Sequence, residues 1–257
     1  MTVQLAISGC CGRMGSRIAA IAAQDSAFAI AAALEAAGHA AVGHELKSVL
    51  GINGNTTVRV TDDAKAAIRA AEVLIEFTRP EPTLAHLQIA RQLRKPMVIG
   101  TTGFSDSDRA SVAEAAAEIP IVFSPNMSVG VNVLFELVQT AARQLGLAYD
   151  VEIVEAHHRA KQDSPSGTAK RLAEAVAASR KQPPGSIPVH AIRAGDIIGD
   201  HRVVFAGPSE RLELTHQAHS RDVFVVGALR AARFLATTKT PGLYDMGHVL
   251  RADRPTS

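Results

Sequence analysis

Apolar residues along this chain follow two periods that alternate with each other. Short apolar runs at residues 3–7, 28–34, 73–75, 97–99 and 119–123 have the length of buried strands. Between them the spacing widens to three and four. Met14, Ile18, Ile21 and Ala22 mark the buried stripe of a helix, Leu84, Leu87, Ile89 and Ala90 mark another, and an alanine-polar stretch over 106–118 marks a third. The alanine-rich segment after Glu35, with Gly38 and Gly43, and the run Gly51-Ile52-Asn53-Gly54-Asn55 read as loop. No internal repeat is visible. Strand and helix in strict alternation predict a parallel sheet covered on both faces.

From Val129 the pattern changes. Val131, Leu134, Phe135, Val138, Ala141, Ala142 and Leu145 predict a long amphipathic helix, and residues 151–154 a strand. A helix over about 169–178, strand-like runs at 189–192, 202–205 and 211–215, and a last helix over about 222–236 follow. Strands clustered in this way predict a second, α+β domain on a mixed or antiparallel sheet. The expected division is 1–128, then 129–238, with residues 239–257 returning to the first domain.

The ends of the first five strands carry the polar chemistry of that half. Gly9, Cys10, Cys11, Gly12, Arg13, Met14 and Gly15 follow the first, Glu35 the second, Phe77, Thr78 and Arg79 the third. Gly100, Thr101, Thr102 and Gly103 follow the fourth, and Ser124, Pro125, Asn126 and Met127 the fifth. In such sheets a ligand lies beyond the carboxyl ends of the strands. The glycine turn lets backbone approach a pyrophosphate at a helix start, and Glu35, twenty residues past Gly15, stands where a carboxylate meets ribose hydroxyls. One glycine turn could be ordinary punctuation; five polar termini on one edge outline a crevice for a dinucleotide. The turn departs from G-x-G-x-x-G at its middle glycine, which is Cys11 here.

Composition narrows the partners. With 257 residues and 47% hydrophobic content the chain can bury a substantial core. A net charge of +2 without a basic stripe, and 4% aromatic residues with no tryptophan, argue against nucleic acid. The eight apolar residues of 27–34 are too few to span a bilayer, and no basic segment precedes an apolar one at the start, so neither a membrane nor a signal peptide is expected. Cys10 and Cys11 form no disulfide framework, which points to the cytoplasm. The acceptor pattern Asn55-Thr56-Thr57 has no consequence without secretion.

Residues 155–168, Glu-Ala-His-His-Arg-Ala-Lys-Gln-Asp-Ser-Pro-Ser-Gly-Thr, are the most chemically loaded stretch. His157 and His158 exchange protons near neutral pH. Lys161 adds a point charge, and Ser166 or Thr168 can cap a helix whose start would hold a carboxylate. A solvated basic loop before a capped helix fits the composition equally well. No metal is expected, because adjacent histidines on an extended chain point apart and neither a cysteine cluster nor H-x-x-x-H accompanies them. A nucleophilic hydrolase is disfavoured by the lack of G-x-S-x-G. Cys11, at a helix start, could have a depressed pKa and be oxidisable, with plain packing as the alternative.

The glycine turn with Arg13 and Met14, Glu76-Phe77-Thr78-Arg79-Pro80, the run from Val98 to Phe104, Asn126-Met127-Ser128-Val129-Gly130-Val131-Asn132 and above all residues 155–168 resemble the 4-hydroxy-tetrahydrodipicolinate reductases. The similarity runs from residue 3 to about 250. It implies a Rossmann-type parallel-sheet cofactor domain, a second α+β substrate and oligomerisation domain, and NADH- or NADPH-dependent reduction of a small cyclic dicarboxylate in lysine and diaminopimelate biosynthesis. It further implies His157 as proton donor, Lys161 as its assistant or a substrate ligand, and His158, Ser166, Gly167 and Thr168 as carboxylate holders. Residues 9–14, Glu35, 77–79, 100–102 and 124–127 correspond to the cofactor-binding positions. Domain closure and a homotetramer are expected.

Cys11 replaces the family's common second glycine. Ala36 and Ala37 follow Glu35 where dual-specificity members often carry an arginine, which tilts the expectation toward NADH. The competing readings are another NAD(P)-dependent dehydrogenase of amino-acid metabolism, which has no reason to carry His157, His158 and Lys161 beside a carboxylate site, and a non-catalytic dinucleotide sensor.

Overall fold

A computed structural model describes residues 2–53 and 56–252; Asn55, the acceptor of the glycosylation pattern, lies outside them. The described residues form two compact units, one running up to Met127 and resuming at Phe224, the other Ser128–Val223.

In the first unit, strands β1 (Val3–Ser8), β2 (Phe28–Leu34), β3 (Val60–Thr61), β4 (Val73–Glu76), β5 (Met97–Ile99), β6 (Pro120–Phe123) and β11 (Gly242–Tyr244) make one sheet in the order β11-β6-β5-β4-β1-β2-β3. Every pair is parallel. The helices of this unit are α1 (Arg13–Ala22), α2 (Leu46–Leu50), α3 (Ala64–Ala70), α4 (Pro80–Leu93), α5 (Asp106–Ala116) and α9 (Met246–Ala252), with most of α8 (Asp222–Thr237). Ala6, Leu74, Met97, Ile99 and Ile121 share one core cluster with Ala67, Ile68, Leu87, Ala90, Val112 and Ala115. Residues of the other parity, Leu5, Ile7, Val73, Ile75, Val98 and Val122, are fully buried too, so the sheet is covered on both faces, as continuous apolar strands require. Each buried Leu or Ile stabilises the unit by about 1.5–3 kcal/mol.

Three local expectations change. The buried stripe of α1 is Gly15, Ile18, Ala19 and Ala22, with Met14 and Ile21 half-buried beside it. The helix sits low because Gly15 lies on the Gly9 backbone, where a Cβ would come within 2.1 Å of the Gly9 carbonyl oxygen. The segment after Glu35 is not all loop, since it contains α2, β3 and, capped by Asp63 accepting from the Ala66 amide at 2.9 Å, α3. The chain rejoins the first unit at Phe224 rather than at 239. Val225, Ala228, Leu229, Ala231, Ala232 and Leu235 of α8 are buried, and a Cβ on Gly227 would fall 1.7 Å from the Met127 carbonyl oxygen.

In the second unit, β7 (Asp150–His157), β8 (Val189–Arg193), β9 (Asp200–Ala206) and β10 (Arg211–Gln217) form a sheet in the order β10-β9-β7-β8. Strands β7 and β8 run parallel and the other pairs antiparallel. Val151, Ile153, Val203 and Phe205 pack with Val131, Leu134, Val138 and Ala142 of α6 (Val129–Leu145) and with Ala169, Leu172 and Val176 of α7 (Gly167–Ser179).

Candidate active site

In the first unit, β1, β2, β4, β5 and β6 are all parallel, so the loops after Ser8, Leu34, Glu76, Ile99 and Phe123 lie along one edge of the sheet. The strand order reverses between β1 and β4, which is where an open sheet offers its crevice. Gly9 has φ +60° and its carbonyl accepts from the Gly12 amide at 2.8 Å, making the tight turn before α1. No side chain caps Gly12 and no acid occupies the first turn of α1, so the positive helix end is not neutralised from within. A Cβ on Gly9 would meet the Thr78 methyl at 2.8 Å, so the loops after β1 and β4 touch across the reversal. Arg13 is exposed and Met14 half-buried at the start of α1.

Glu35 bridges two of these loops. Its carboxylate accepts from the Cys11 amide and from the Ala36 amide, each at 3.0 Å. Phe77 lies against Gly100, where a Cβ would come within 2.1 Å of the ring. Beneath them is a polar network that no motif of the sequence signals. Glu76, fully buried, accepts from Thr78 Oγ1 at 2.5 Å and bonds His86 Nδ1 at 2.8 Å. Thr101 Oγ1 accepts from the Thr78 amide at 3.1 Å and meets Thr83 Oγ1 at 3.0 Å, while Thr83 donates to the Arg79 carbonyl. This network fixes residues 78, 79 and 101. Thr102 and Pro125 are exposed, Asn126 is half-buried and Met127 is buried, and Ser124 Oγ donates to the Asn126 carbonyl at 2.8 Å.

Cys10 is buried and Cys11 half-buried. Burial raises both thiols, reinforced at Cys10 by its neighbour Cys11 and at Cys11 by Glu35, so neither is the depressed thiol considered from sequence.

In the second unit the site is set by strand alternation. Val151, Ile153, Glu155 and His157 project to the same face of β7, apolar at one end and polar at the other. Register places His201 of β9 opposite Glu155 and Arg193 of β8 opposite His157. Glu155 has no exposed side-chain surface. Its two oxygens accept from both terminal nitrogens of Arg193 at 2.8 Å, from His157 Nδ1 at 2.6 Å and from the Ser166 amide at 3.0 Å. Burial pushes this carboxyl up, but the bonds from Arg193, His157 and the Ser166 amide outweigh it and hold it below the ordinary range. An ionised carboxylate only accepts, so Nδ1 carries the proton and neutral His157 presents Nε2 as its remaining nitrogen. A Cβ on Gly199 would lie 3.1 Å from that Nε2, so glycine keeps this side of the ring clear.

Burial lowers the His157 pKa, against the raising influence of Glu155. The His201 ring packs edge-on against it, centroids 5.3 Å apart, and burial brings His201 down to about 4. Ser166 Oγ caps α7 by accepting from the Ala169 amide at 3.2 Å and bonds His201 Nε2 at 3.2 Å. Lys161, on the turn after β7, pairs with Asp163 at 2.8 Å, and burial of Asp163 is outweighed by that bond. His158 and Thr168 are half-buried and Gly167 is exposed, with nothing within 4 Å of where its Cβ would stand. His157, Lys161 and the start of α7 thus come together. The sequence alone assigns no role to Glu155, Arg193 or His201; Glu155 shares the period-two face with His157, but the partners come from distant strands.

Comparison with known proteins agrees with these features. The family described as dihydrodipicolinate reductase matches in two parts, its N-terminus over residues 3–127 and its C-terminus over 130–250. The 4-hydroxy-tetrahydrodipicolinate reductase of Aromatoleum aromaticum is 45% identical over 97% of this chain and 96% of its own, and that of Laribacter hongkongensis is 46% identical over 96% and 98%. A dipicolinate-bound dihydrodipicolinate reductase from Paenisporosarcina sp. TG-14 has the same fold, with a TM-score of 0.78 over 95% of this chain and 98% of its own at 24% identity. C. glutamicum DAP dehydrogenase aligns with a TM-score of 0.59 at 12% identity over 99% and 97%, a likeness of fold alone. The chain belongs to the dihydrodipicolinate reductase family, NAD(P)H-dependent oxidoreductases with a Rossmann-like cofactor domain and a separate mixed-sheet domain.

Proposed function

We propose that the chain reduces a cyclic, unsaturated dicarboxylate to tetrahydrodipicolinate in lysine and diaminopimelate biosynthesis, with His157 delivering the proton. The observation that carries this reading is the buried Glu155–His157 pair beside Lys161 and the open start of α7. Lys161 and the helix start at Ser166, Gly167 and Thr168 would hold the carboxylates, with His158 alongside. NAD(P)H, when bound, supplies the hydride. The uncapped start of α1, the close approach at Gly9 and Gly15, and the Glu35 carboxylate suit a pyrophosphate and a ribose; residues 9–14, 35, 77–79, 100–102 and 124–127 would hold it.

In the ligand-free protein His157 is neutral near pH 7, because burial depresses it. Two substrate carboxylates beside the ring favour its charged form, so substrate binding loads the proton at Nε2. Glu155 then stabilises the imidazolium through Nδ1, and transfer from Nε2 quenches the carbanion that hydride addition leaves. Ala36 and Ala37 are exposed next to Glu35, which favours NADH over NADPH. A homotetramer and a cytoplasmic compartment belong to the same proposal.

The direct test offers freshly generated synthase product together with NADH and follows the loss of reduced cofactor. Enzyme-dependent oxidation is expected. Its absence with both cofactors would overturn the reading.

A further inference from the structure

Residue 11 is where a dinucleotide turn usually has glycine, and here a second thiol follows Cys10 instead. The two sulfurs lie 3.8 Å apart. Both sulfurs and a Glu35 carboxylate oxygen lie within 4.8 Å of one another, although Glu35 is remote in sequence. Two thiolates on a tetrahedral ion with ion–sulfur bonds of about 2.3 Å stand about 3.8 Å apart. The side chains therefore hold that separation already, whereas a disulfide would need the sulfurs to close to about 2.05 Å. Glu35 has acceptor capacity left beyond its two amide bonds, and Cys11, half-buried, leaves a side open for entry and for a water ligand.

We infer that Cys10, Cys11 and Glu35 bind a thiophilic divalent ion of the zinc and cadmium type, and that this ion and the dinucleotide exclude one another. Binding forms two ion–sulfur bonds and one ion–oxygen bond and releases the two thiol protons to solvent. Two thiolates, a carboxylate and the ion carry a net charge of −1, which the start of α1 can offset. The burial that raises both thiols keeps them protonated and poor nucleophiles in the ion-free protein. Exclusion rests on the function proposed above. Glu35 engaged by an ion is lost to the ribose, and an ion held by Cys11 stands in the glycine turn on which a pyrophosphate would rest.

The experiment titrates the reduced, intact protein with cadmium and follows the ultraviolet thiolate-to-cadmium charge-transfer absorption. It should saturate at one ion per chain, and Cys11→Ser should weaken binding at least about tenfold. Cys10→Ala, checked for folding by circular dichroism, should do the same. NADH should raise the apparent cadmium Kd, and cadmium held at the same multiple of its own Kd should raise the NADH Kd by the same factor. No absorption at one equivalent, or absorption unchanged in both variants, would overturn the site. A saturating band with no effect of cadmium on a measurable NADH Kd would overturn the exclusion. Failure to bind NADH with the band intact would count against the functional reading and leave the ion site standing.

Discussion

Glu155→Gln replaces a buried carboxylate by an amide of nearly the same shape at a point where four bonds converge. Oε1 accepts from Arg193 Nη2 and the Ser166 amide, Oε2 from Arg193 Nη1 and His157 Nδ1. An amide oxygen in the first position keeps its partners. The amide nitrogen in the second faces two donors, and while His157 can change tautomer, the guanidinium cannot. Arg193 is then left largely enclosed without its counter-charge, its side chain only 19% exposed. Breaking a buried pair from one side costs about 3–5 kcal/mol, a large part of the roughly 5–15 kcal/mol that holds a domain together. The melting temperature, followed by circular dichroism at pH 7, should fall by roughly 6–20 °C. Because Glu155 is held below the ordinary carboxylate range, its contribution is present above that range and lost as pH falls through the depressed value; the gap between variant and wild type should narrow in acid. The variant also loses the group that fixes Nδ1–H, so kcat should drop, and Glu155→Asp should restore part of it. A variant within about 0.5 kcal/mol of wild type, with an unchanged pH profile of kcat, would refute the account.

His157→Gln should lower kcat by about 10²–10⁴ while leaving the NADH Kd nearly intact; unchanged turnover removes the proton-donor assignment. Ala36→Arg should move the ratio of kcat/KM values toward NADPH, and a ratio that stays put means that the adenosine phosphate lies elsewhere. Burial holds His201 at about 4 against 6.5, so the unfolded chain binds the extra proton in between: stability is full above about pH 6.5 and declines by about 3 kcal/mol as pH falls toward 4. Urea titrations of His201→Asn should show that decline flattened, and an equal decline would assign it to other groups. Gly15→Ala places a Cβ 2.1 Å from the Gly9 carbonyl oxygen, backbone that cannot yield cheaply, so it should cost about 1–3 kcal/mol and weaken NADH binding in a fluorescence titration.

Which features could be read from the chain alone follows from how local their causes are. Strands β1, β2, β4, β5 and β6 announce themselves as apolar runs because both faces of the sheet are buried. Once they are parallel, their polar ends must share an edge. Where the cause is a single cap or a two-residue pairing, as for α3 behind Asp63 and for β3 beside β2, periodicity is too short to register. The second site divides along the same line. His157, Lys161 and Ser166 lie within one stretch and were legible together, whereas the arginine and the second imidazole that govern the histidine come from β8 and β9, set by sheet register. Glu155 occupied the intermediate case, because its alternation with His157 was visible while its charge partner was not. A carboxylate two residues before a proton-donating histidine on a strand faces the same way and lies within reach of the ring. An acid buried there demands a cation, and with Lys161 paired to Asp163 and Arg159 exposed, neither cation of the stretch 155–168 is the one that meets it. Arg193 meets it, which makes a residue remote in sequence part of the physical chemistry of His157.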